Sequence, residues 1–249
     1  MHRFYAPPDT CARDAFDLPE AEAHHALHVL RVRVADIVTV LNGAGGELLC
    51  RVAGTTGRHV GLHVQQRRQA PAPPCRITLF QALPKGKTLE NIIHKATELG
   101  VSRIVPVISE HVIARPEDAS LAKKGGKWQA TAIEAIKQCG QPWLPKVDQP
   151  LNIADALRTR EPSELEFVGA LYPGSKHPRS TFKEWEQSHN RKPVSIGIWI
   201  GPEGDFTRDE VAAITRAGAT PITLGPLVLK CDTAATYALS VVTYEIQSA

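Results

Sequence analysis

The five cysteines, Cys11, Cys50, Cys75, Cys139 and Cys231, are odd in number, widely scattered, and include no C-x-x-C pair. That absence argues against a disulfide framework and against a zinc site, and it makes a reducing cytosol the simplest setting. Long hydrophobic runs are missing too. Ile196–Ile200 is among the longest apolar stretches, far short of the roughly 20 residues that span a bilayer, so no membrane partner is expected. Met1-His-Arg-Phe-Tyr5 runs into Pro7-Pro8 without the charged-then-apolar pattern of a secretory leader. There is no internal repeat. What is present is ordinary: 249 residues, 43% hydrophobic and 22% charged, a composition that excludes disorder, collagen and coiled coil and suggests two globular domains.

The net charge of +3 is small but uneven. Residues 73–146 hold 11 Lys/Arg against 6 Asp/Glu, whereas residues 147–249 hold 10 against 13. A basic middle third is compatible with a phosphate-rich partner and equally with a solvated helix face.

The first 70 residues read as mostly β. Val38–Leu41, Glu47–Val52 and Val60–Val64 are short β-rich runs, separated by Asn42-Gly-Ala-Gly-Gly46 and Gly54-Thr-Thr-Gly57. Such clusters mark hairpins, and strands this short suggest a small barrel. One helix is expected from about Pro19 to Val29. Three prolines among Pro71–Pro74 cannot continue a helix or a central strand, which places a domain boundary between 1–72 and 73–249.

Beyond it the pattern changes to strands alternating with helices. Arg76–Leu83, Arg103–Ile108, Glu166–Leu171, Val194–Ile200 and Pro221–Leu224 read as buried strands. Leu89, Ile92, Ile93, Ala96 and Leu99 form one helical stripe, and Trp128, Ala132, Ala135, Ile136 and Cys139 form another, each closed by a glycine. Thr207-Arg-Asp-Glu210 is a capping box whose helix should run to about Ala217, and a last helix is expected from about Asp232 to Ile246. The alternation predicts an α/β domain with a mostly parallel sheet covered on both faces.

Several candidate motifs fail on their chemistry. Pro84-Lys-Gly-Lys-Thr88 lies where a phosphate loop would, but position 81 is Gln81 rather than the required glycine. A basic turn at a helix N-terminus is the better reading. His24 and His28 are one turn apart, without H-E-x-x-H or a third ligand, so no metal is expected. Gly43–Gly46 opens no helix and reads as a hairpin turn.

Two late connections carry more. Ile200-Gly-Pro-Glu-Gly-Asp-Phe-Thr207 and Leu224-Gly-Pro-Leu-Val-Leu-Lys-Cys-Asp-Thr-Ala234 each join a strand to a helix. Both follow carboxyl ends of strands, where open α/β sheets bind ligands. The apolar residues between Pro226 and Lys230 suggest a loop buried against something, such as an adenine ring or another pass of chain. By composition alone, two ordinary strand–helix turns remain open.

Taken together with Arg3-Phe-Tyr5, His28-Val-Leu-Arg31, Gln81-Ala-Leu-Pro-Lys85, Lys95–Val101, Ser109-Glu110 and Gln138-Cys-Gly140, in this order and spacing, these segments resemble the 16S rRNA uridine N3-methyltransferase family (RsmE type) of the SPOUT superfamily. The resemblance implies a PUA-like β-barrel over 1–72. Over 73–249 it implies a SPOUT domain whose C-terminal part is threaded into a trefoil knot. It further implies S-adenosyl-L-methionine as cofactor, a cytoplasmic homodimer with each site completed by the partner chain, and as substrate a uridine of small-subunit rRNA within the 30S particle. By this resemblance the cofactor pocket uses Leu171, Ile200, Gly201, Pro202, Gly204, Leu224, Gly225, Val228 and Leu229, closed by Thr233 and Ala234. Arg3, Arg31, Lys85, Lys87, Lys95 and Arg115 are the candidates for RNA backbone contact.

Methyl transfer to uracil N3 requires loss of its proton, for which Asp232 is the first candidate acceptor and Glu203 the second. Lys230 would stabilise the developing anion or hold a phosphate. An N-cap role for Asp232 and a turn role for Glu203 remain open. The chain departs from the family pattern L-G-x-R-[IV]-L-R-x-E-T-A at Leu227, Lys230 and Asp232, and also at Gln141 and Asp205. Lysine keeps the arginine charge but loses its bidentate fork. These departures leave a second expectation standing, a catalytically impaired ribosome-assembly factor of the same fold.

Overall fold

The computed structural model describes residues 1–112, 118–170 and 174–247, with side chains 118–124 omitted. The chain divides into two compact units. One is Met1–Ala72 with Ile133–Leu144, and the other is Pro73–Ala132 with Pro145–Ala249.

In the first unit, strands β1 (Arg3–Tyr5), β2 (Ala15–Asp17), β3 (Ile37–Leu41), β4 (Gly46–Thr56) and β5 (His59–Gln69) form a five-stranded sheet in the order β1-β3-β4-β5-β2. Only β1 and β3 pair in parallel. Alternation along β4 turns Leu48, Cys50 and Val52 inward, onto Phe4, Val38, Val40, Val60 and Leu62. The expected turn at Gly43–Gly46 joins β3 to β4, with Gly43 and Gly45 at φ 75° and 86°, backbone that favours glycine. The expected helix over 19–29 is present but changes type. Helix α1 (Glu20–His24) continues as one π turn, His25–Val29, in which the Leu30 N–H donates to the His25 carbonyl.

Ile133–Leu144 lies within the stretch that sequence assigned to the second domain, yet it belongs to the first unit. Side-chain chemistry explains this. Lys137, 8% exposed, bonds Glu22 at 2.8 Å and Glu134 at 2.7 Å. Arg3 donates to the Lys137 and Gln138 carbonyls, and the Trp143 indole N–H donates to the Pro71 carbonyl.

The second unit holds β6 (Arg76–Ala82), α2 (Thr88–Glu98), β7 (Arg103–Ile108), the start of α3 (Asp118–Cys139), β8 (Lys146–Val147), β9 (Leu151–Asn152) and α4 (Ile153–Thr159). There follow β10 (Leu165–Gly169), α5 (Pro178–His189), β11 (Ser195–Ile200), α6 (Arg208–Arg216), β12 (Thr220–Ile222) and α7 (Cys231–Gln247). The sheet is seven-stranded, in the order β12-β10-β11-β6-β7-β8 with β9 beside β7. Every pairing in it is parallel. As expected for such a sheet, its strands are buried almost continuously. Phe80, Val105, Val168 and Trp199 pack under Ile153 and Ala156 of α4 and Val211 and Ile214 of α6. On α5, Phe182 meets Phe167 with ring centroids 5.7 Å apart, and α7 packs on α2, α5 and β11.

The capping box forms as read: Thr207 accepts from the Glu210 amide, and Glu210 accepts from the Thr207 amide. Cys11, Cys50, Cys75 and Cys231 are buried, and Cys139 is exposed. Among the described residues, no helix is long and apolar enough to cross a membrane, and no group of three or more His, Cys, Asp or Glu is placed to hold a metal.

Candidate functional site

Because all strands of the second sheet run the same way, β10, β11 and β12 bring their carboxyl ends to one edge. The chain leaves that edge through glycine at three places: Gly169 ends β10, Gly201 follows β11, and Gly225 follows β12. A cavity of about 240 Å³ lies among these ends. Of the residues expected there, Ile200, Gly201, Pro202, Gly204, Leu224, Gly225, Val228, Leu229 and Ala234 line it, as does Glu203. Leu171 and Arg115 lie outside the described residues. Lys230, Asp232 and Thr233 do not line the cavity themselves. They stand in the same turn as Leu229, Cys231 and Ala234, which do.

Sequence reasoning missed Gly169, Ala170, Asp205, Ile222 and Cys231 as lining residues. The first two follow from the strand-end rule, applied to β10 as well as to β11 and β12. Asp205 adopts φ 60°, where glycine is favoured. Its Oδ1 accepts from the Phe206 amide at 2.8 Å, the local bond that lets aspartate replace glycine here. Apolar residues after Pro226 face outward within the single chain. Leu227 and Val228 border the cavity and are 71% and 80% exposed, with no cover from the described residues.

The two candidate carboxylates converge. Burial, then the Glu203 and Asp232 carboxylates, together push the Cys231 thiol up to about 11. Glu203 is engaged as well, since its Oε1 accepts from the Lys85 amide at 3.0 Å. That bond ties the basic turn of Lys85 and Lys87, both exposed, to the cavity wall. Helix α7 starts at Cys231, so Asp232 is not its N-cap and sits in the first turn. The Asn91 side-chain amide donates to Asp232 Oδ2 at 3.5 Å.

The remaining basic candidates are divided between the two units. Lys95 is half-buried in the last turn of α2. In the first unit, Arg3 uses its guanidinium on the α3 carbonyls, and Arg31 is exposed at φ 54° directly after the π turn.

The segment after β7 is fastened to the same loop. The Glu110 amide donates to Glu210 Oε1 at 2.8 Å, and His111 Nδ1 bonds the Gly204 and Asp205 carbonyls at 2.8 and 3.0 Å. These carbonyls, Asp205 first, raise the His111 pKa above its ordinary 6.5 against a small opposing effect of desolvation. The Glu110 and Glu210 carboxylates add to the rise. A raised histidine contributes stability below its unfolded value and loses it as pH rises through the folded one. NMR titration of the ring should therefore place His111 above 6.5. His111→Ala should remove any loosening of the Gly204–Asp205 turn seen on going from pH 6 to 9.

Residues 71–243 match the RNA methyltransferase domain family, and residues 18–63 match the RNA methyltransferase PUA domain family. A protein of Mycobacterium bovis named ribosomal RNA small subunit methyltransferase E is 32% identical, over 94% of this chain and 87% of that protein. The crystal structure of a ribosomal RNA small subunit methyltransferase E from Neisseria gonorrhoeae bound to S-adenosyl methionine is 28% identical. It covers 97% of this chain and 96% of that one, with a TM-score of 0.83. A Legionella pneumophila structure in complex with bound SAM gives a TM-score of 0.87 at 28% identity, again over 97% and 96% of the two chains.

Proposed function

This chain belongs to the RNA methyltransferase family, and we propose that it is the S-adenosyl-L-methionine-dependent enzyme that methylates N3 of a uridine in small-subunit (16S) rRNA. The observation that carries the reading is the cavity at the ends of β10, β11 and β12, formed by glycine backbone and aliphatic side chains. Its lining fits the cofactor. Ile200, Leu224 and Leu229 offer apolar walls to an adenine ring, and the glycines expose main-chain N–H and C=O groups to its polar edges. Carboxylates of Glu203 and Asp205 lie on the rim for a sulfonium or an ammonium group. When bound, the cofactor supplies an already activated methyl group.

The protein's work is alignment and proton removal. Asp232 takes the uracil N3 proton, Lys230 balances the charge that develops, and Glu203 holds the Lys85 turn against the pocket. Lys85, Lys87, Lys95, Arg3, Arg31 and Arg115 contact RNA phosphates. The finer architecture belongs to the same proposal: a PUA-like barrel for 1–72, a trefoil knot in 73–249, a cytoplasmic homodimer, and the 30S particle as the form in which rRNA is met. The exposure of Leu227 and Val228 supports the dimer, since a second chain is a natural cover for them. The family's RNA methyltransferase identity and the SAM-bound relatives favour catalysis over the impaired assembly factor.

Two experiments bear on this. The protein should transfer labelled methyl from the cofactor to unmodified small subunits, and rRNA from a deletion strain should lack one methylated uridine. An unchanged modification profile in that strain rejects the assignment. The second experiment probes the loop. A Cβ on Gly201 would meet Asp205 Oδ1 at 2.8 Å and the Phe206 amide nitrogen at 3.0 Å, so the connection must shift. Making room for the methyl displaces the cavity wall, so Gly201→Ala should bind the cofactor about tenfold more weakly by calorimetry.

A further inference from the structure

At the opposite edge of the parallel sheet, β6, β7, β8 and β11 begin with Arg76, Arg103, Lys146 and Ser195. These four residues line a second cleft of about 480 Å³, together with Thr78, Ser163 and the neutralised Arg160. It shares no residue with the cofactor cavity. A parallel sheet makes this separation unavoidable, because amino and carboxyl ends lie on different edges.

The cleft's charges are unevenly matched. Arg160 is neutralised by Glu166, which it bonds through Nε at 3.0 Å and Nη2 at 3.1 Å. Arg103 and Lys146, by contrast, share one carboxylate. Arg103 Nε reaches Asp148 Oδ2 at 2.6 Å, and Lys146 Nζ reaches Oδ1 at 2.8 Å. One positive charge is left over. Asp148 is only 11% exposed, and its bond to Nε fixes the Arg103 side chain while both Nη groups stay without a protein partner among the described residues. Arg76 adds a further cation; its one counter-ion among the described residues, Glu161, also lines the cleft but is 4.0 Å away with both side chains largely in solvent. Ser195 Oγ already accepts from the Glu164 amide at 3.0 Å, so its own proton is available to donate.

A fixed guanidinium edge, two further cations and hydroxyl donors suit a tetrahedral oxyanion with several acceptor atoms. We propose that this cleft binds a phosphate group, held by Arg103 and Arg76 and completed by Lys146 and Ser195. A polynucleotide backbone and a free phosphate would present the same chemistry. The proposal does not depend on the methyl-transfer reading.

The test uses the full-length protein and the variants Arg76→Gln and Arg76→Gln/Arg103→Gln. Two probes are titrated, inorganic phosphate by ³¹P NMR and a single-stranded oligouridylate over a range of salt. The double variant should lose phosphate affinity by about tenfold or more. If RNA is the physiological source, the slope of log affinity against log salt should also fall by about 1 for each lost contact. Cofactor affinity should be unchanged in both variants, which checks that they fold. Lost phosphate binding with RNA binding intact assigns the cleft to a free phosphate or nucleotide. Unchanged binding of both probes in the double variant overturns the proposal. Arg76 is solvent-exposed and outside the Asp148 network, so Arg76→Gln alone decides the matter if the double variant does not fold. It should weaken phosphate binding measurably, and no change would count against the site.

Discussion

Asp232→Ala should slow methyl transfer to unmodified small subunits by about 10²–10⁴-fold, the range typical for loss of a positioned proton acceptor. Cofactor affinity should hold, because Asp232 does not line the cavity. Helix α7 should hold too, because its start at Cys231 leaves Asp232 in the first turn and not at the N-cap. A structural role predicts the reverse: lower stability with single-turnover chemistry intact. Measuring the chemical step, cofactor affinity and melting temperature on one variant separates the two. Asp232→Glu, which puts back the carboxylate that the family pattern has at this position, should restore much of the rate. Comparable loss in Glu203→Gln with none in Asp232→Ala would move the acceptor role to Glu203, whose Oε1 already takes the Lys85 amide proton.

Lys137→Met should destabilise the first unit by about 3–5 kcal/mol, the range for breaking a buried ion pair by removing one partner. For a domain of this size that lowers the melting temperature by about 12 °C or more. Lys137 and Glu22 are 8% and 10% exposed, so the change strands a carboxylate out of water. The Tyr5 amide, donating at 3.3 Å, would be a weak remaining partner. Burial pushes the Lys137 ammonium down, but hydrogen bonds to Glu134 and Glu22 and their charges outweigh it and leave the pKa raised. The pair's contribution is therefore complete below the ordinary lysine value and fades only as pH climbs through the raised one. Adding Glu22→Leu to Lys137→Met should recover most of the loss, since apolar replacement of both partners is often neutral or better. Denaturant unfolding of the three proteins checks the series. Equal stability throughout would show that the pair contributes nothing.

Those two sites differ in how far the sequence reveals them. The loop around Gly201 is readable because its neighbours in space are neighbours in the chain: an apolar strand, glycines, then a capping box of which every bond is local. The strand–helix alternation beyond Pro74 is readable for the same reason, since each stripe is a run of nearby residues. Lys137 is different. It sits in a stripe whose apolar partners predict a helix, and nothing nearby says that its ammonium lies against Glu22, 115 positions earlier. The same limit hides the placement of Ile133–Leu144 in the first unit. It also hides the fastening of His111 to the Gly204 carbonyl, 93 positions away. Leu227 and Val228 are hard to read for another reason. Apolar composition says that a surface wants cover, but one chain cannot show what provides it.

Because four of the five thiols are buried and only Cys139 is exposed, a maleimide dye added to the native protein should mark one place on each molecule. No cysteine then needs engineering out before single-molecule or fluorescence work. Slower uptake at the other sulfurs becomes a clock for the opening of each unit, with Cys11 and Cys50 timing the first and Cys75 and Cys231 the second.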